Sequence, residues 1–386
     1  MFCEIAMEKN SLIHYEKMLL DLLKASLSVQ VPDNACFELA QPGDWKACAQ
    51  LAKRQGVLAL AWEGVKKLPQ ELQPYQSLKI SWALAVERYE AEYKRYCDTV
   101  HELSVFFAAH GIRMVQLKGV GLSTYYPIPS LREGGDIDIY TFSADPSVMT
   151  DKEANDLADV LMEQKGIEVD RTHPKHSHFE YNRIEVENHK TFLDIERCAL
   201  SPQVEETLRS SLNPQTVTLC NGHDVLIPSD EFNSLFVAFH ALQHYGCGLT
   251  LHHIYDWACI IKRKGLSLSY IMPADSHFSK GVDVMTWICN EYLGTSVPVS
   301  EDRRLVAEML HEIFNPFDYA KPVSGFRDEL VYKLRRFEHN VRTRNRYLHT
   351  PLWRSNAFWK KIGKSIVWHF KKTYSLTYNL KNTPHY

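Results

Sequence analysis

The chain has 386 residues, 44 basic and 47 acidic side chains, and a formal net charge of -3, so no global charge draws it toward nucleic acid. A content of 45% hydrophobic and 24% charged residues is that of an ordinary globular protein with about two to three domains' worth of chain. The nine cysteines are scattered without a C-x-x-C pair, which argues against a disulfide framework or a structural zinc site, and no apolar run of about 18 residues predicts a transmembrane helix.

Residues 1–111 read as an N-terminal helical region. Glu4, Glu8 and Lys9 interrupt any apolar run at the start, so the first segment reads as an amphipathic helix rather than a secretory signal. Asp44 is placed to cap a helix, and Gly56 to break it from the next. From Leu78 a long amphipathic pattern, one helix or two, runs to a C-cap at Gly111.

The texture then changes. Residues 112–200 read as a small α/β core. "RMVQLKGV" predicts a strand ending at Lys118-Gly119, and "GLSTYYP" a short helix stopped by Pro127. In "LREGGDIDIYTF" the alternation places Asp136, Asp138 and Tyr140 on one strand face, with Ile137 and Ile139 on the other. "DKEANDLADVLMEQKG" follows as a helix. "HSHFEYN" and "RIEVENH" then form two strands, with Asn182-Arg183 as a tight turn. Residues 201–330 are expected to be helical, with Ser229 as an N-cap and Phe236, His240 and His244 at helical spacing.

Asp136 and Asp138 need a physical reason. Two carboxylates two apart on a strand face lie about 6–7 Å apart along the backbone. At about 5 Å they repel by roughly 3 kcal/mol at an effective dielectric near 20. A divalent cation between them reverses the sign, and magnesium is usually held by one or two carboxylates plus substrate phosphates. A two-metal phosphoryl-transfer site wants a third carboxylate from a neighbouring strand. Glu187, Glu185 and Asp194 are the candidates.

The run "LKGVGLSTYYP" and "LREGGDIDIY", followed by a helix and then "VENH", resembles the uncharacterised bacterial nucleotidyltransferase family of the polymerase-β-like superfamily. That family carries a K-G pair, a spaced arginine, then G-D-[IV]-D-[ILV], with a later acidic residue often followed by histidine. The matching positions are Lys118, Gly119, Arg132, Gly135, Asp136, Asp138 and Glu187, with His189 two after the glutamate. The match favours Glu187 as third carboxylate.

The resemblance implies an α+β fold: a small mixed-sheet nucleotidyltransferase core between N-terminal and C-terminal helical regions. It implies transfer of a nucleoside monophosphate from a nucleoside triphosphate, ATP by expectation, to a hydroxyl acceptor. The metal ligands would be Asp136, Asp138 and Glu187, binding Mg2+ with Mn2+ as substitute, and Lys118, Gly119, Gly135 and Arg132 would hold the nucleotide. The acceptor is left open among protein, sugar, metabolite and RNA. Lys118-Gly119 stands where most of the superfamily has Gly-Ser, so the phosphate grip is assigned by role. For Arg132 the alternatives are a phosphate contact and a surface salt bridge.

Two other functions fit a D-x-D pair. A glycosyltransferase would use it to hold a nucleotide sugar, but would want an α/β domain where residues 1–110 read as helical. A non-catalytic nucleotide-binding adaptor docked at a membrane is the other. His240, His244, His252 and His253 lack an H-E-x-x-H pattern and read as core or cleft residues, with the acceptor side as the alternative placement. His173, His176 and His178 read as loop and strand-surface residues, and Asp256 as the partner of a basic residue.

Residues 331–386 form a basic, aromatic-rich tail. Trp359, Ile362, Ile366 and Phe370 make a helical stripe among lysines. It could pack on the body, meet an anionic membrane surface, or take an anionic partner, nucleic acid included. The expected location is cytoplasmic, with a peripheral place at the inner membrane face as the tail's variant.

Overall fold

The structure, a computed structural model, describes residues 12–28, 30–195, 198–263, 275–318 and 326–348. Helix α1 (His14–Leu27) is followed by α2 (Asn34–Phe37), α3 (Pro42–Arg54), α4 (Leu58–Lys66) and α5 (Gln76–Ala108). Helix α3 starts two residues before Asp44, because Pro42 is already set for the first helical position. Asp44 instead sits three past the cap residue Gln41, and its carboxylate accepts the Gln41 N–H at 2.9 Å. Gly56, at φ +66°, makes the turn between α3 and α4. The long amphipathic pattern is one helix of 33 residues.

Strand β1 (Ile112–Gln116) leads into a short helix α6 (Gly119–Ser123), then strand β2 (Ile137–Ser143) and helix α7 (Asp151–Gln164). Strands β3 (His176–Tyr181) and β4 (Ile184–His189) form the expected hairpin. Asn182 and Arg183, at φ 52° and 60°, give the two left-handed positions of a type I′ turn. Helix α8 (Ser201–Ser211) comes next. The chain then departs from the expected all-helical course: β5 (Gln215–Thr218) and β6 (Asp224–Ile227) form a second hairpin that joins the same sheet. The sheet order is β3-β4-β2-β1-β6-β5, with β2 parallel to β4, β1 parallel to β6, and the other pairs antiparallel. The fold is the expected α+β arrangement, a mixed sheet flanked by N-terminal and C-terminal helices.

Helices α9 (Asp230–His244), α10 (Leu251–Ile261), α11 (Ser276–Leu293), α12 (Arg303–Phe314) and α13 (Phe326–Tyr347) complete the described chain. Ser229 caps α9, its Oγ accepting the Phe232 N–H at 3.1 Å. One sheet face packs Ile137, Ile139 and Val186 against Phe107 of α5 and Met162 of α7. The other joins a core shared by N-terminal and C-terminal helices, including Leu22, Phe236, Trp257 and Met285. Helices α1 and α4 touch at Gly64, where a Cβ would lie 2.3 Å from the Leu22 carbonyl oxygen. No helix among the described residues is long and apolar enough to cross a membrane. The tail stripe from Trp359 to Phe370 lies outside the described residues.

Candidate active site

Strand β2 is central in the sheet, so its side chains are buried on both faces. Asp138 is therefore held at 1% exposure, and Asp136 sits at the rim, one residue before the strand. The parallel pairing of β2 with β4 puts Asp138 opposite Glu187. Carboxylate oxygens of Asp136, Asp138 and Glu187 lie within 4.8 Å of one another. Of the three candidates for the third acid, Glu187 is the one in this group; Glu185 is largely exposed beside His178.

Such clustered charge is tolerated because the Lys118 ammonium and two imidazoles lie against it. Lys118 Nζ is 3.0 Å from Asp138 Oδ2, and His189 Nε2 is 2.9 Å from Oδ1. His189 Nδ1 faces the Thr191 carbonyl at 3.2 Å, so both ring nitrogens are placed to donate. His176 Nδ1 lies 2.6 Å from Glu187 Oε2, and His189 Nε2 lies 3.4 Å from it. Burial pushes the Asp138 carboxyl up, but the Lys118 ammonium and the His189 contact overcome it and hold it well below the usual range. Burial also opposes ionisation of Glu187, and hydrogen bonds from His176 and His189 pull it down. Asp136 goes the other way: burial and the Asp138 charge raise it, only partly offset by Lys118. Among the described residues it makes no ion pair.

Lys118 and Gly119 lie where β1 turns into α6. Gly119 takes φ +55°, and a Cβ there would meet Gln116 Nε2 at 3.2 Å and the Asp136 carbonyl at 3.5 Å. Glycine lets the chain pass close to the acids. Gly135 accepts the Tyr96 hydroxyl at 2.8 Å, and a Cβ on it would meet nothing within 4 Å.

Arg132 is buried rather than on the surface, and its guanidinium is engaged on two sides. Its Nε and Nη2 each donate to Asp256 at 2.9 Å, and Nη1 reaches the Gly119 carbonyl at 3.3 Å. Tyr126 donates to the same carboxylate at 2.6 Å. The Asp256 carboxyl, opposed by burial, is held down to about 2 by Arg132 and His252. A buried fork-to-fork pair of this kind fixes geometry as well as charge.

With this geometry in place, the whole pattern can be compared with known proteins. Residues 41–294 match the family described as "Uncharacterised nucleotidyltransferase". The chain belongs to that nucleotidyltransferase family. Membership sets aside the glycosyltransferase reading. Among solved structures, this nucleotidyltransferase is similar to an antigenic nucleotidyltransferase-like protein from Paracoccidioides brasiliensis: 15% identity, TM-score 0.32, covering 50% of this chain and 87% of that one. A search among curated proteins finds no match.

In this nucleotidyltransferase Asp136 and Asp138 line a cavity together with Lys118, Arg132, Glu133, Gly135, His240, His252 and His253. A larger cavity of about 670 Å³, between α1, α11 and α12, holds none of the three clustered carboxylates. Sequence reasoning missed one contribution. His176 reads as a surface residue, yet the hairpin register sets it opposite His189 and against Glu187. Asp256 has the basic partner expected of it, but nothing local identifies that partner as Arg132, 124 residues away. His189 did carry a signal, since it follows Glu187 by two on the same strand face.

Proposed function

We propose that this nucleotidyltransferase moves a nucleoside monophosphate from a triphosphate, ATP by preference, to a hydroxyl acceptor, with release of pyrophosphate and in the presence of Mg2+. One observation carries the reading: Asp138 and Glu187 on paired parallel strands and Asp136 just before the first of them converge within 4.8 Å, and Asp136 makes no ion pair among the described residues. The donor set fits magnesium, being all oxygen, ionised or ionisable, and open on the cavity side. Bound there, magnesium would neutralise phosphate charge, the main requirement of phosphoryl transfer.

The chain's own residues supply the rest. Asp136, Asp138 and Glu187 would hold the metal, and Glu187 at the hairpin end also accepts the proton of the attacking hydroxyl. His176 and His189 hold Glu187 and Asp138 in position. Lys118, paired with Asp138, lines the same cavity and would bind phosphate there as a point charge. Gly119 brings its backbone close to the phosphates. Arg132 acts through Gly119, whose carbonyl it binds while Asp256 anchors it.

The test is incubation of the full chain with Mg2+, α-labelled ATP and a cell extract as acceptor source. Label transfer and pyrophosphate release are expected, and both are lost in the double variant Asp136→Asn/Asp138→Asn. Activity that survives in that variant rules the mechanism out. Tight nucleotide binding without turnover in the wild type favours the adaptor reading instead.

A further inference from the structure

A second cluster of titratable side chains borders the same cleft through His240 and His253. His240 and His244 stand one turn apart on α9, and His253 comes from the first turn of α10. One ring nitrogen of each lies within 4.8 Å of the others. Ring centroids are 4.6 Å apart for His240 and His244, 4.8 Å for His244 and His253, and 5.5 Å for His240 and His253. Packing alone gives little reason to turn three imidazoles on one another, since each brings two polar nitrogens that need partners. His240 is half-buried and makes no hydrogen bond or ion pair among the described residues. A histidine serving only the core is normally satisfied.

The ring of His253 is already oriented. Thr250 Oγ1 lies 2.9 Å from its Nδ1 and the Thr250 amide 3.2 Å from it, which leaves Nε2 for a ligand. Burial and the nearby Lys118 charge push His240 well below its ordinary range; burial and His244 do the same for His253. Both rings are neutral and present lone pairs, the form a metal takes.

We infer that His240, His244 and His253 form a binding site for a divalent transition metal of the zinc type, distinct from the oxygen-lined site of the three carboxylates. Imidazole suits zinc, copper and nickel, whereas magnesium prefers carboxylate and phosphate oxygen. Loading His253 through Nε2 puts its ring proton on Nδ1, where Thr250 Oγ1 accepts it and the contact with the Thr250 amide is given up. An oxygen acceptor on Nδ1–H is the usual support for a ligating histidine. Three nitrogen ligands leave a fourth position open. His240 and His253 line the cavity that also holds Asp136 and Asp138, so that position faces the reaction cleft. Its occupant is an oxygen of the acceptor; this last step rests on the nucleotidyl-transfer reading, and the metal site does not.

The experiment uses the full chain, stripped with a chelator and titrated with Co2+ in excess Mg2+. One equivalent should produce visible absorption bands that Zn2+ abolishes and Mg2+ leaves in place. His240→Asn and His244→Asn should each weaken binding by more than about 100-fold, beyond what loss of an outer contact costs. Asp136→Asn should leave it unchanged. Metal-edge X-ray absorption of the wild type, which needs no variant to fold, should show three imidazole scatterers. The inference is overturned by absent stoichiometric binding, by a carboxylate-dominated shell, or by binding lost in Glu187→Gln and kept in His240→Asn. If cobalt binding fails while Mg2+-dependent nucleotide binding persists, the metal inference alone falls.

Discussion

Asp138 and Glu187 stand opposite each other in the parallel pairing of β2 and β4, and one nitrogen, His189 Nε2, lies 2.9 Å from the first and 3.4 Å from the second. The register that buries Ile137, Ile139 and Val186 on one face thus delivers both acids to the other. Folding the sheet correctly and assembling the acidic pocket are the same event. The histidine and Lys118 make that event affordable without a bound metal.

Removing Lys118 leaves Asp138 buried with one cation fewer. Lys118→Met should lower stability by about 3 kcal/mol, as when one partner of a buried pair is deleted. Mg2+ alone should then stabilise the variant more than the wild type, since the ion takes over the missing charge. Thermal melts of both proteins with and without Mg2+ read this directly.

The Arg132–Asp256 pair should resist conservative change. Arg132→Lys keeps the charge but loses the two-point contact and the link to the Gly119 carbonyl. Nucleotide affinity should fall about tenfold or more while the fold survives, a difference of about 1.4 kcal/mol. Arg132→Ala should instead cost about 3–5 kcal/mol of stability by stranding Asp256. The joint replacement Arg132→Met/Asp256→Leu should cost less than Arg132→Ala, which denaturant titration would show.

Glu133 predicts a pH dependence. Its carboxylate accepts the Ala59 N–H at 3.1 Å, and burial pushes its pKa from 4.5 up to about 7. The folded state therefore holds a proton that the unfolded state has lost between those two values. Stability falls as pH rises through that window and levels off above it. Glu133→Gln keeps an acceptor for Ala59 and removes the titration. The melting temperature of the variant relative to wild type should rise by about 2–4 °C from pH 4.5 to pH 7. An unchanged difference across the window would contradict it.

The β3–β4 turn holds Arg183 at φ 60°, a left-handed position that disfavours a side chain. Arg183→Gly should stabilise the hairpin by about 0.5–1 kcal/mol, because Asn-Gly is the favoured pair for this turn. Guanidinium melts should show a higher midpoint with unchanged slope.

These relationships were legible in the sequence to different degrees. Strict alternation in Ile137–Tyr140 and Ile184–His189, with a turn pair between the hairpin strands, announces the acid-bearing faces locally. Strands β5 and β6 are only four residues each, and short strands give little periodicity. Their one clear signal is Asn221-Gly222, with Gly222 at φ +79°. Asp44 misled because a capping side chain also serves three positions into a helix that proline has already started. The partner of Arg132 and the convergence of His253 with His240 depend on packing between distant helices, which no local pattern encodes.

The central claim is that the three carboxylates make nucleotide binding depend on a divalent ion. The most direct measurement is the melting temperature with ATP, with and without Mg2+, in wild type and Asp138→Asn. At ligand about 100-fold above its dissociation constant, binding adds about 2.7 kcal/mol, or roughly 3 °C for a chain of this length. The account predicts that shift in the wild type only when ATP and Mg2+ are both present, and its loss in Asp138→Asn. An equal Mg2+-dependent shift in the variant, or a wild-type shift indifferent to Mg2+, would contradict it.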